Sequence, residues 1–214
     1  MNQIQVNDVL PHFISGTDAS VSEIWCKKAT FHKGEYYLLA ASSGAGKSSF
    51  LSFLFGERND YHGDILFDET KIDALSSSAW RDIRKNRISF VFQGLKLFSE
   101  LTAFENIILK NRLTHYKTED EIICLLNGLG LAGKKDEKTA RLSFGQQQRV
   151  AILRALCQPF DFLFLDEPFS HLDDANIEIL SELILNELQM RQAGMILCSL
   201  GQKYSFNYQR CLKL

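Results

Sequence analysis

The stretch 41-ASSGAGKSSF-50 constrains the fold of this chain more than any other, because it lies between two apolar segments. The residues before it, 36-YYLLAA-41, form an unbroken apolar run of strand length. The residues after its glycines, 47-KSSFLSFLFG-56, space their apolar side chains like a short helix that ends at glycine. The small-residue run is therefore predicted to be a strand-to-helix loop. Such a loop directs backbone N–H groups and a helix N-terminus at one point, which suits a phosphate.

Lys47 and Ser48 make this loop a candidate phosphate site. In loops of the form G-x-x-x-x-G-K-[ST], the lysine reaches the β- and γ-phosphates and the hydroxyl ligates magnesium. Ala41 replaces the first glycine, which a methyl group permits only where the backbone needs no positive φ. We expect binding to be weakened little; a glycine-rich turn without a ligand is the alternative. The loop residues are Ala41, Ser42, Ser43, Gly44, Ala45, Gly46, Lys47, Ser48 and Ser49.

A second apolar run ends in two acids. In 162-FLFLDEP-168, four apolar residues place Asp166 at the carboxyl end of a buried strand, where it can help to hold magnesium. Glu167 beside it can act as a general base on an attacking water. A surface turn before Pro168 is the alternative interpretation. The wholly apolar strand, together with the lysine loop, favours a catalytic pair.

Strand-like and helix-like segments alternate along most of the chain. We predict a strand pair from 29-ATF-31 and 36-YYLLAA-41 around HKGE, and a hairpin over 63–72. Further predicted elements are a basic helix around residues 80–85, strands over 88–92, 162–166 and 195–199, and a helix over about 176–193. Strands without alternation, separated by helices, indicate a parallel sheet covered on both faces.

Capping boxes predict three further helices. Thr102 with Glu105 and Thr118 with Glu121 begin a helical insertion over about 103–131. Ser143, with Gln146 three residues later, begins another helix. The glycines and charges between them, up to Lys138, predict a mobile connection.

Composition narrows the class of protein. With 214 residues and 45% hydrophobic residues, the chain can bury one core or two closely packed lobes. A net charge of -2 without a basic tract argues against a general electrostatic grip on nucleic acid, and no nucleic-acid partner is expected. Five scattered cysteines without a C-x-x-C pair argue against a disulfide framework or zinc ribbon and favour a reducing cytoplasm. Neither an export signal nor an apolar run of roughly 20 residues is present, so any membrane role is expected through a partner.

The motifs resemble, in kind and order, those of the nucleotide-binding subunit of ATP-binding-cassette (ABC) transporters. The segment 142-LSFGQQQRVAILRAL-156 is similar to the family's L-S-G-G-Q signature, with Phe144 in place of the first glycine. The resemblance implies that Ser143, Phe144, Gly145 and Gln146 bind the γ-phosphate of ATP held by the opposite subunit of a head-to-tail dimer. Read alone, Ser143 with Gln146 is an ordinary helix cap. We expect Phe144 to alter dimer packing without loss of the site.

Other residues take roles from the resemblance. Gln93, after the strand over 88–92, resembles the glutamine that meets magnesium and water, and residues 95–98 resemble the loop that touches the transmembrane partner. Ser170 and Asp173 resemble the loop that lines the dimer seam. As alternatives, Gln93 is a surface loop residue and Asp173 is a helix N-terminal acid.

Near the start of the chain, Phe13 resembles the aromatic residue that stacks on adenine. His12 competes for that role, and an ordinary core position of Phe13 is the other alternative. The resemblance extends from about Ile4 to Gly201. Within the family, the sequence most resembles the subgroup that serves lipoprotein-release, macrolide-export and cell-division complexes.

The resemblance implies an α/β fold: a P-loop NTPase of ABC type with a mostly parallel core sheet, flanking helices, an N-terminal antiparallel β part and a helical subdomain. It implies one domain over residues 1–214, with a core over about 1–95 and 158–214 and a helical subdomain over about 96–157. The expected reaction is ATP hydrolysis that energises a separate membrane permease through closure of a dimer.

Catalysis is expected from Glu167, Lys47 and Gln93, with Mg²⁺ at Ser48, Gln93 and Asp166. The expected partners are a transmembrane permease subunit and a second ATP-binding subunit, taken as an identical copy. The expected location is cytoplasmic, peripheral on the inner face of the cell membrane through the permease.

Leu200 departs from the family pattern at a position that matters for turnover. The family carries a histidine there that contacts the γ-phosphate, and no histidine of this chain follows His171. Loss of one such contact costs on the order of 3 kcal/mol, or roughly a hundredfold in rate. A nucleotide-gated switch with little turnover is therefore the alternative function. A soluble cassette ATPase of DNA repair or translation is disfavoured, since the chain has no coiled-coil insertion and no second cassette.

Overall fold

The computed structural model describes residues 1–14, 19–42 and 44–214. The strands are β1 (Gln3–Pro11), β2 (Lys28–His32), β3 (Tyr36–Ala40), β4 (Tyr61–Phe67), β5 (Thr70–Lys71), β6 (Ile88–Val91), β7 (Phe162–Asp166), β8 (Gly194–Ser199) and β9 (Arg210–Lys213). The α-helices are α1 (Lys47–Leu54), α2 (Ser77–Asn86), α3 (Ala103–Asn111), α4 (Glu119–Gly128), α5 (Phe144–Leu156) and α6 (Asp174–Arg191). Short 3-10 turns lie at Ile72–Ala74, Ala132–Lys134 and Thr139–Arg141.

A small antiparallel sheet has the strand order β2-β1-β4-β5. Its central strand β1 buries alternate residues, among them Ile4 and Val6, as expected for a strand with one face on a core. β4 and β5 form the hairpin that the sequence predicts over 63–72.

A larger sheet has the order β6-β7-β8-β3-β9, and each neighbouring pair of its strands is parallel. β7 and β8 are buried at every residue, because helices or the other sheet cover both of their faces. Successive side chains of β7 enter opposite cores: Phe162 and Phe164 join one apolar cluster, and Leu163 and Leu165 join the other. The predicted parallel sheet, covered on both faces, is confirmed.

The strand register brings three chain segments to one edge of this sheet. Ala40 at the end of β3 lies opposite Ser199 at the end of β8, and Asp166 at the end of β7 lies opposite Cys198. The segments that follow β3, β7 and β8 therefore leave the sheet side by side. In open parallel sheets, this carboxyl edge is where ligands bind.

The predicted capping boxes are confirmed at α3, α4 and α5. In each, the hydroxyl of the cap residue accepts from the N–H three residues later, and the Glu or Gln side chain there accepts from the cap N–H. Each such cap contributes about 1 kcal/mol to helix stability. None of the helices in the described part of the chain has the length and apolarity needed to cross a membrane.

The predicted pairing of the strands around HKGE is wrong. β2 pairs with β1 in the antiparallel sheet, whereas β3 pairs with β8 and β9 in the parallel sheet. The turn, with Gly34 at φ 84°, carries the chain from one sheet to the other. Propensity identified both strands but contains no information on which partner each would find. β1 and β9 are additional strands that the sequence analysis does not predict.

Candidate functional site

The loop between β3 and α1 folds around the ammonium group of Lys47. This side chain is buried, and its Nζ donates to the backbone oxygens of Ala41 and Ser42, both at 3.1 Å. The same Nζ lies 3.5 Å from Oε1 of Glu167. The loop lysine and the predicted general base therefore face each other across a small space at the edge of the sheet.

Glycine is required within the loop but not at its start. Gly44 and Gly46 have φ of 85° and 93°, in the left-handed region, and Gly46 caps the N-terminus of α1. A Cβ on Gly46 would lie 3.1 Å from Cζ2 of Trp25 and 3.2 Å from Cδ1 of Ile14. Ala41 is not among the residues with positive φ, and its N–H donates to the carbonyl of Ser199 at 3.2 Å. Its methyl group therefore imposes no backbone strain.

Asp166 and Glu167 lie where β7 ends. Asp166 is 3% exposed, and its Oδ1 has no hydrogen-bond partner among the described residues. Burial raises the pKa of Asp166 more than the nearby Ser48 hydroxyl lowers it, and the charge of Glu167 adds to the increase. Glu167 adopts φ 49°, a conformation that costs a non-glycine residue about 1 kcal/mol or more and that recurs at functional sites.

Three oxygen-bearing side chains converge beside the loop. Oγ of Ser48 lies 3.5 Å from Oε1 of Gln93, two residues beyond β6, and Asp166 approaches Ser48 from β7. The unpartnered carboxylate oxygen of Asp166 and the two neutral oxygens form a donor set that suits Mg²⁺, which prefers a few oxygen ligands and keeps several waters. The residues present therefore fit the metal that the sequence predicts.

A cavity of about 200 Å³ brings together eight of the predicted site residues. Its lining residues are Phe13, Gly44, Gly46, Lys47, Ser48, Ser49, Gln93 and Glu167. Phe13 also lines a neighbouring cavity of about 610 Å³, together with Ser42 and Ala45, and its side chain is 50% exposed. Phe13 is thus placed at the mouth of the loop and is not a core residue. Ser43, the remaining predicted loop residue, lies outside the described residues.

The four signature residues stand apart from this cavity. Ser143 caps α5, and Phe144 is 44% exposed with its ring centroid 4.3 Å from that of His171. A Cβ on Gly145 would lie 3.3 Å from the carbonyl oxygen of His171, so the start of α5 packs closely on the loop that follows Glu167. Asp173 in that loop caps α6 through the N–H of Asn176. Ser143, Phe144, Gly145 and Gln146 are not among the residues that line the cavity around Lys47.

A second concave surface lies beyond Gln93. Leu95 and Lys96 both adopt left-handed φ, at 55° and 51°, and their carbonyls accept from the guanidinium of Arg154 at 2.7 Å. The turn opens onto a largely apolar groove of about 410 Å³, which we call the Phe98 groove. It is lined by Phe55, Ser89, Phe90, Phe92, Lys96, Phe98, Asn106, Leu109, Lys110, Leu113, Arg154 and Ala155.

Leu200, the predicted departure, follows β8 and is 60% exposed. The hydroxyl of Ser199 accepts from the N–H of Gly201 at 3.2 Å and donates to the carbonyl of Gln202 at 2.7 Å, which forms a tight turn after the strand. The Leu200 side chain offers no polar atom to this edge of the sheet. The register places this turn beside the loop of Lys47, which starts from the adjacent strand.

The structure reveals supporting residues that the sequence analysis missed. Nε1 of Trp25 donates to the carbonyl of Ala45 at 3.2 Å, and Nε2 of the buried Gln148 lies 3.4 Å from the carbonyl of Glu167. Arg58 donates to the hydroxyl of Ser49 at 2.7 Å. Nothing in the local sequence distinguishes Gln148 from its neighbouring glutamines, because its role depends on the contact of α5 with the residue that follows β7.

Comparison with known proteins identifies the family of this chain. The family model described as "ABC transporter" matches residues 27–170. The lipoprotein-releasing system ATP-binding protein LolD of Syntrophotalea carbinolica is 34% identical over 184 residues, covering 85% of this chain and 81% of that protein. The chain belongs to the ABC transporter family.

Further relatives of this ABC protein point to the same subgroup. LolD 2 of Chlorobaculum tepidum is 31% identical over 189 residues, covering 85% of this chain and 76% of that protein. The macrolide export ATP-binding/permease protein MacB of Mannheimia succiniciproducens is 29% identical over 218 residues, covering 100% of this chain and 33% of that protein. The chain lies in the lipoprotein-release and macrolide-export subgroup, as the resemblance predicted.

A solved structure confirms the predicted fold. The dimeric structure of MJ0796, a bacterial ABC transporter cassette, superposes with a TM-score of 0.79 at 24% identity, covering 92% of this chain and 88% of that chain. A second structure of MJ0796, titled as a post-hydrolysis state bound to ADP and Pi, gives a TM-score of 0.78. The fold is the α/β P-loop NTPase of ABC type. The family model and the LolD relatives identify the chain as an ABC-type ATP-binding subunit and ATPase.

Proposed function

We propose that the described cavity binds Mg-ATP and hydrolyses it, and that Glu167 is the general base. The observation that carries this proposal is the meeting of the Lys47 loop with Asp166 and Glu167 at one sheet edge, with Lys47 Nζ 3.5 Å from Glu167 Oε1. A phosphate bound at Lys47 would therefore lie beside a carboxylate that can accept a proton from water.

Each residue of the site has a distinct role in this proposal. The loop N–H groups and Lys47 hold the phosphates, while Ser48, Gln93 and Asp166 would hold Mg²⁺, which neutralises charge on the transferring phosphate. Gln93 would also orient the attacking water, and Glu167 would take its proton. Phe13 would stack on adenine, because it is exposed at the mouth of the same cavity.

The signature residues are proposed to act on a second copy of the chain. Ser143 and Gly145 lie at the N-terminus of a 13-residue helix, where backbone N–H groups favour an anion. They do not line the cavity around Lys47 of their own chain. A head-to-tail homodimer would bring them, with Ser170 and Asp173 along the seam, to the γ-phosphate of the partner. A core over about 1–95 and 158–214 and a helical part over about 96–157 would close together on ATP.

The work of the ATPase is proposed to be done through a separate membrane permease. The names of the relatives describe a lipoprotein-releasing system and a protein that contains both an ATP-binding part and a permease. The Phe98 groove is the proposed contact with the permease, since Lys96 and Phe98 line it. Phe98, Leu109 and Leu113 are exposed apolar side chains there. The chain would then lie on the cytoplasmic face of the membrane.

A second candidate function is a nucleotide-gated switch. Leu200 motivates it, because a leucine side chain cannot donate a hydrogen bond to the γ-phosphate. ATP would then close the dimer and regulate a partner with little turnover. The switch and the ATPase share the binding site and differ in the fate of the bound ATP.

Binding of ATP at the proposed site is tested with Lys47→Ala. We expect the Kd for Mg-ATP to rise at least tenfold by calorimetry, because a charge-assisted contact to phosphate contributes about 1.5–3 kcal/mol. Lys71→Ala is the matched control, since Lys71 is an exposed lysine paired with Asp64 on the small sheet. Equal affinity of Lys47→Ala and Lys71→Ala would overturn the proposed site.

A further inference from the structure

Arg58 connects the ring of Phe13 to the phosphate loop. Its guanidinium carbon lies 5.3 Å from the centroid of the Phe13 ring and 5.5 Å from that of the buried Phe53. Its Nη1 donates to Oγ of Ser49 at 2.7 Å. One side chain therefore contacts both the exposed aromatic ring and the first turn of α1, which carries Lys47.

Asp60 fixes the orientation of this guanidinium. Nε of Arg58 donates to Oδ1 of Asp60 at 2.8 Å, and Nη2 donates to Oδ2 of the same carboxylate. Such a bidentate pair sets the plane of the guanidinium as well as its position. An exposed ion pair of this kind contributes little to folding stability. Its consequence is geometric, because the pair holds the guanidinium carbon 5.3 Å from the centroid of the Phe13 ring.

Phe13 needs such support more than a core aromatic does. Its side chain is 50% exposed and belongs to the segment that follows β1. Arg58 approaches one side of the ring, and the ring also borders the cavity of Lys47 and Ser48. A flat aromatic surface supported from one side and open toward a phosphate site fits a second flat π-system, which a nucleotide base supplies.

We propose that Arg58 is a positioning residue for the base of the bound nucleotide: it holds the Phe13 ring at a fixed distance from the phosphate loop. The inference rests on the proposed nucleotide site and adds a residue to it. Arg58, held in place by Asp60 and Ser49, acts through Phe13 rather than on the reacting phosphate. Its loss should therefore weaken binding of the base and leave binding of the phosphates nearly unchanged.

The test compares a ligand that has a base with one that lacks it. Dissociation constants for Mg-ATP and for magnesium tripolyphosphate are measured by calorimetry on the wild type, Arg58→Ala, Phe13→Ala and the double variant. Arg81→Ala, at an exposed arginine on α2, is the matched control. We expect Arg58→Ala to weaken ATP binding roughly threefold to tenfold, as expected for loss of a cation–π contact and its hydrogen bonds. Its effect on tripolyphosphate should be less than twofold.

The double variant separates positioning from general damage. If Arg58 acts through Phe13, Arg58→Ala should cause less than a twofold further loss of ATP affinity once Phe13 is alanine. This cycle decides the question on its own if tripolyphosphate binds too weakly to measure. Equal losses for both ligands, additive losses in the double variant, or unchanged ATP affinity in Arg58→Ala would overturn the inference. Unchanged ATP affinity in Lys47→Ala would instead overturn the nucleotide site itself.

Discussion

At the scale of single residues, the site depends on a few unusual backbone conformations. Gly46 needs the freedom of glycine, since its φ is 93° and a Cβ there would press on Trp25 and Ile14. Glu167 reaches its position in a left-handed conformation despite having a side chain. Ala41, which replaces the glycine of the general loop pattern, has no such requirement.

The contrast between the two loop positions can be measured. We expect Gly46→Ala to lower the free energy of unfolding by about 1–2 kcal/mol and to weaken ATP binding at least tenfold, because both strain and the contact with Trp25 displace the loop. Ala41→Gly should change ATP affinity less than twofold. Urea denaturation and calorimetry on both variants provide the comparison. Improved ATP binding in Ala41→Gly would show that the methyl group does obstruct the phosphate.

At the scale of elements, α3 and α5 hold two cations against the Phe98 groove. Burial lowers the pKa of Lys110 to about 8, and the neighbouring charge of Arg154 adds to the effect. The ammonium group of Lys110 has no hydrogen bond or ion pair with any residue in the described ranges, whereas the guanidinium of Arg154 donates to two carbonyls. A folded state that holds this ammonium unpaired is destabilised by it below pH 8.

Lys110→Met should therefore raise the free energy of unfolding by about 1–2 kcal/mol at pH 7, where both folded and unfolded Lys110 are charged. Because the pKa of Lys110 is lower in the folded state, the unfolded chain binds more protons than the folded chain between about pH 8 and pH 10.5. The wild type should accordingly gain stability relative to Lys110→Met across that interval. Urea denaturation at pH 7 and pH 9.5 measures this difference, with Lys85→Met on the exposed side of α2 as the control. A stability difference that is independent of pH would contradict the assignment.

Some strands and helices of the fold could be predicted from the sequence, and some strand pairings could not. The sequence predicts β3, β7 and β8 from their apolar runs. It predicts the starts of α3, α4 and α5 from a Ser or Thr followed three residues later by Glu or Gln. Both kinds of prediction succeed because burial and capping produce local patterns. The pairing of β2 with β1 could not be predicted, since it joins segments that no local pattern connects. β1 itself buries Ile4 and Val6 in alternation, but this pattern is short, because it breaks at Asp8, where φ is 54°. The predicted mobility of the connection before Lys138 stays a prediction.

Some residues of the candidate site could be predicted from the sequence, and others could not. Lys47, Ser48, Asp166 and Glu167 follow from motifs at strand ends, and a parallel sheet places strand ends together. Arg58 and Gln148 do not follow, because each acts through a contact that only the folded chain creates. Residues that position others carry no motif of their own.

At the scale of the whole molecule, the proposed mechanism requires two copies. In Glu167→Gln, removal of the general base should leave ATP intact, so Mg-ATP should shift the protein from monomer to dimer in sedimentation velocity experiments. Ser143→Arg in that background should block the shift by placing a long cationic side chain at the start of α5. Calorimetry should show ATP binding to that monomer unchanged within about twofold. Equal dimerisation with and without Ser143→Arg would exclude the signature from the seam.

The central claim is that Glu167 catalyses ATP hydrolysis although leucine occupies position 200. The most direct test is steady-state Mg-ATP turnover of the wild type beside Glu167→Gln and Leu200→His, with ATP binding verified for each. We predict measurable turnover that falls at least a hundredfold in Glu167→Gln and rises in Leu200→His, which restores a polar contact to the γ-phosphate. Tight ATP binding with wild-type turnover no higher than that of Glu167→Gln would contradict the claim and identify the chain as a nucleotide-gated switch.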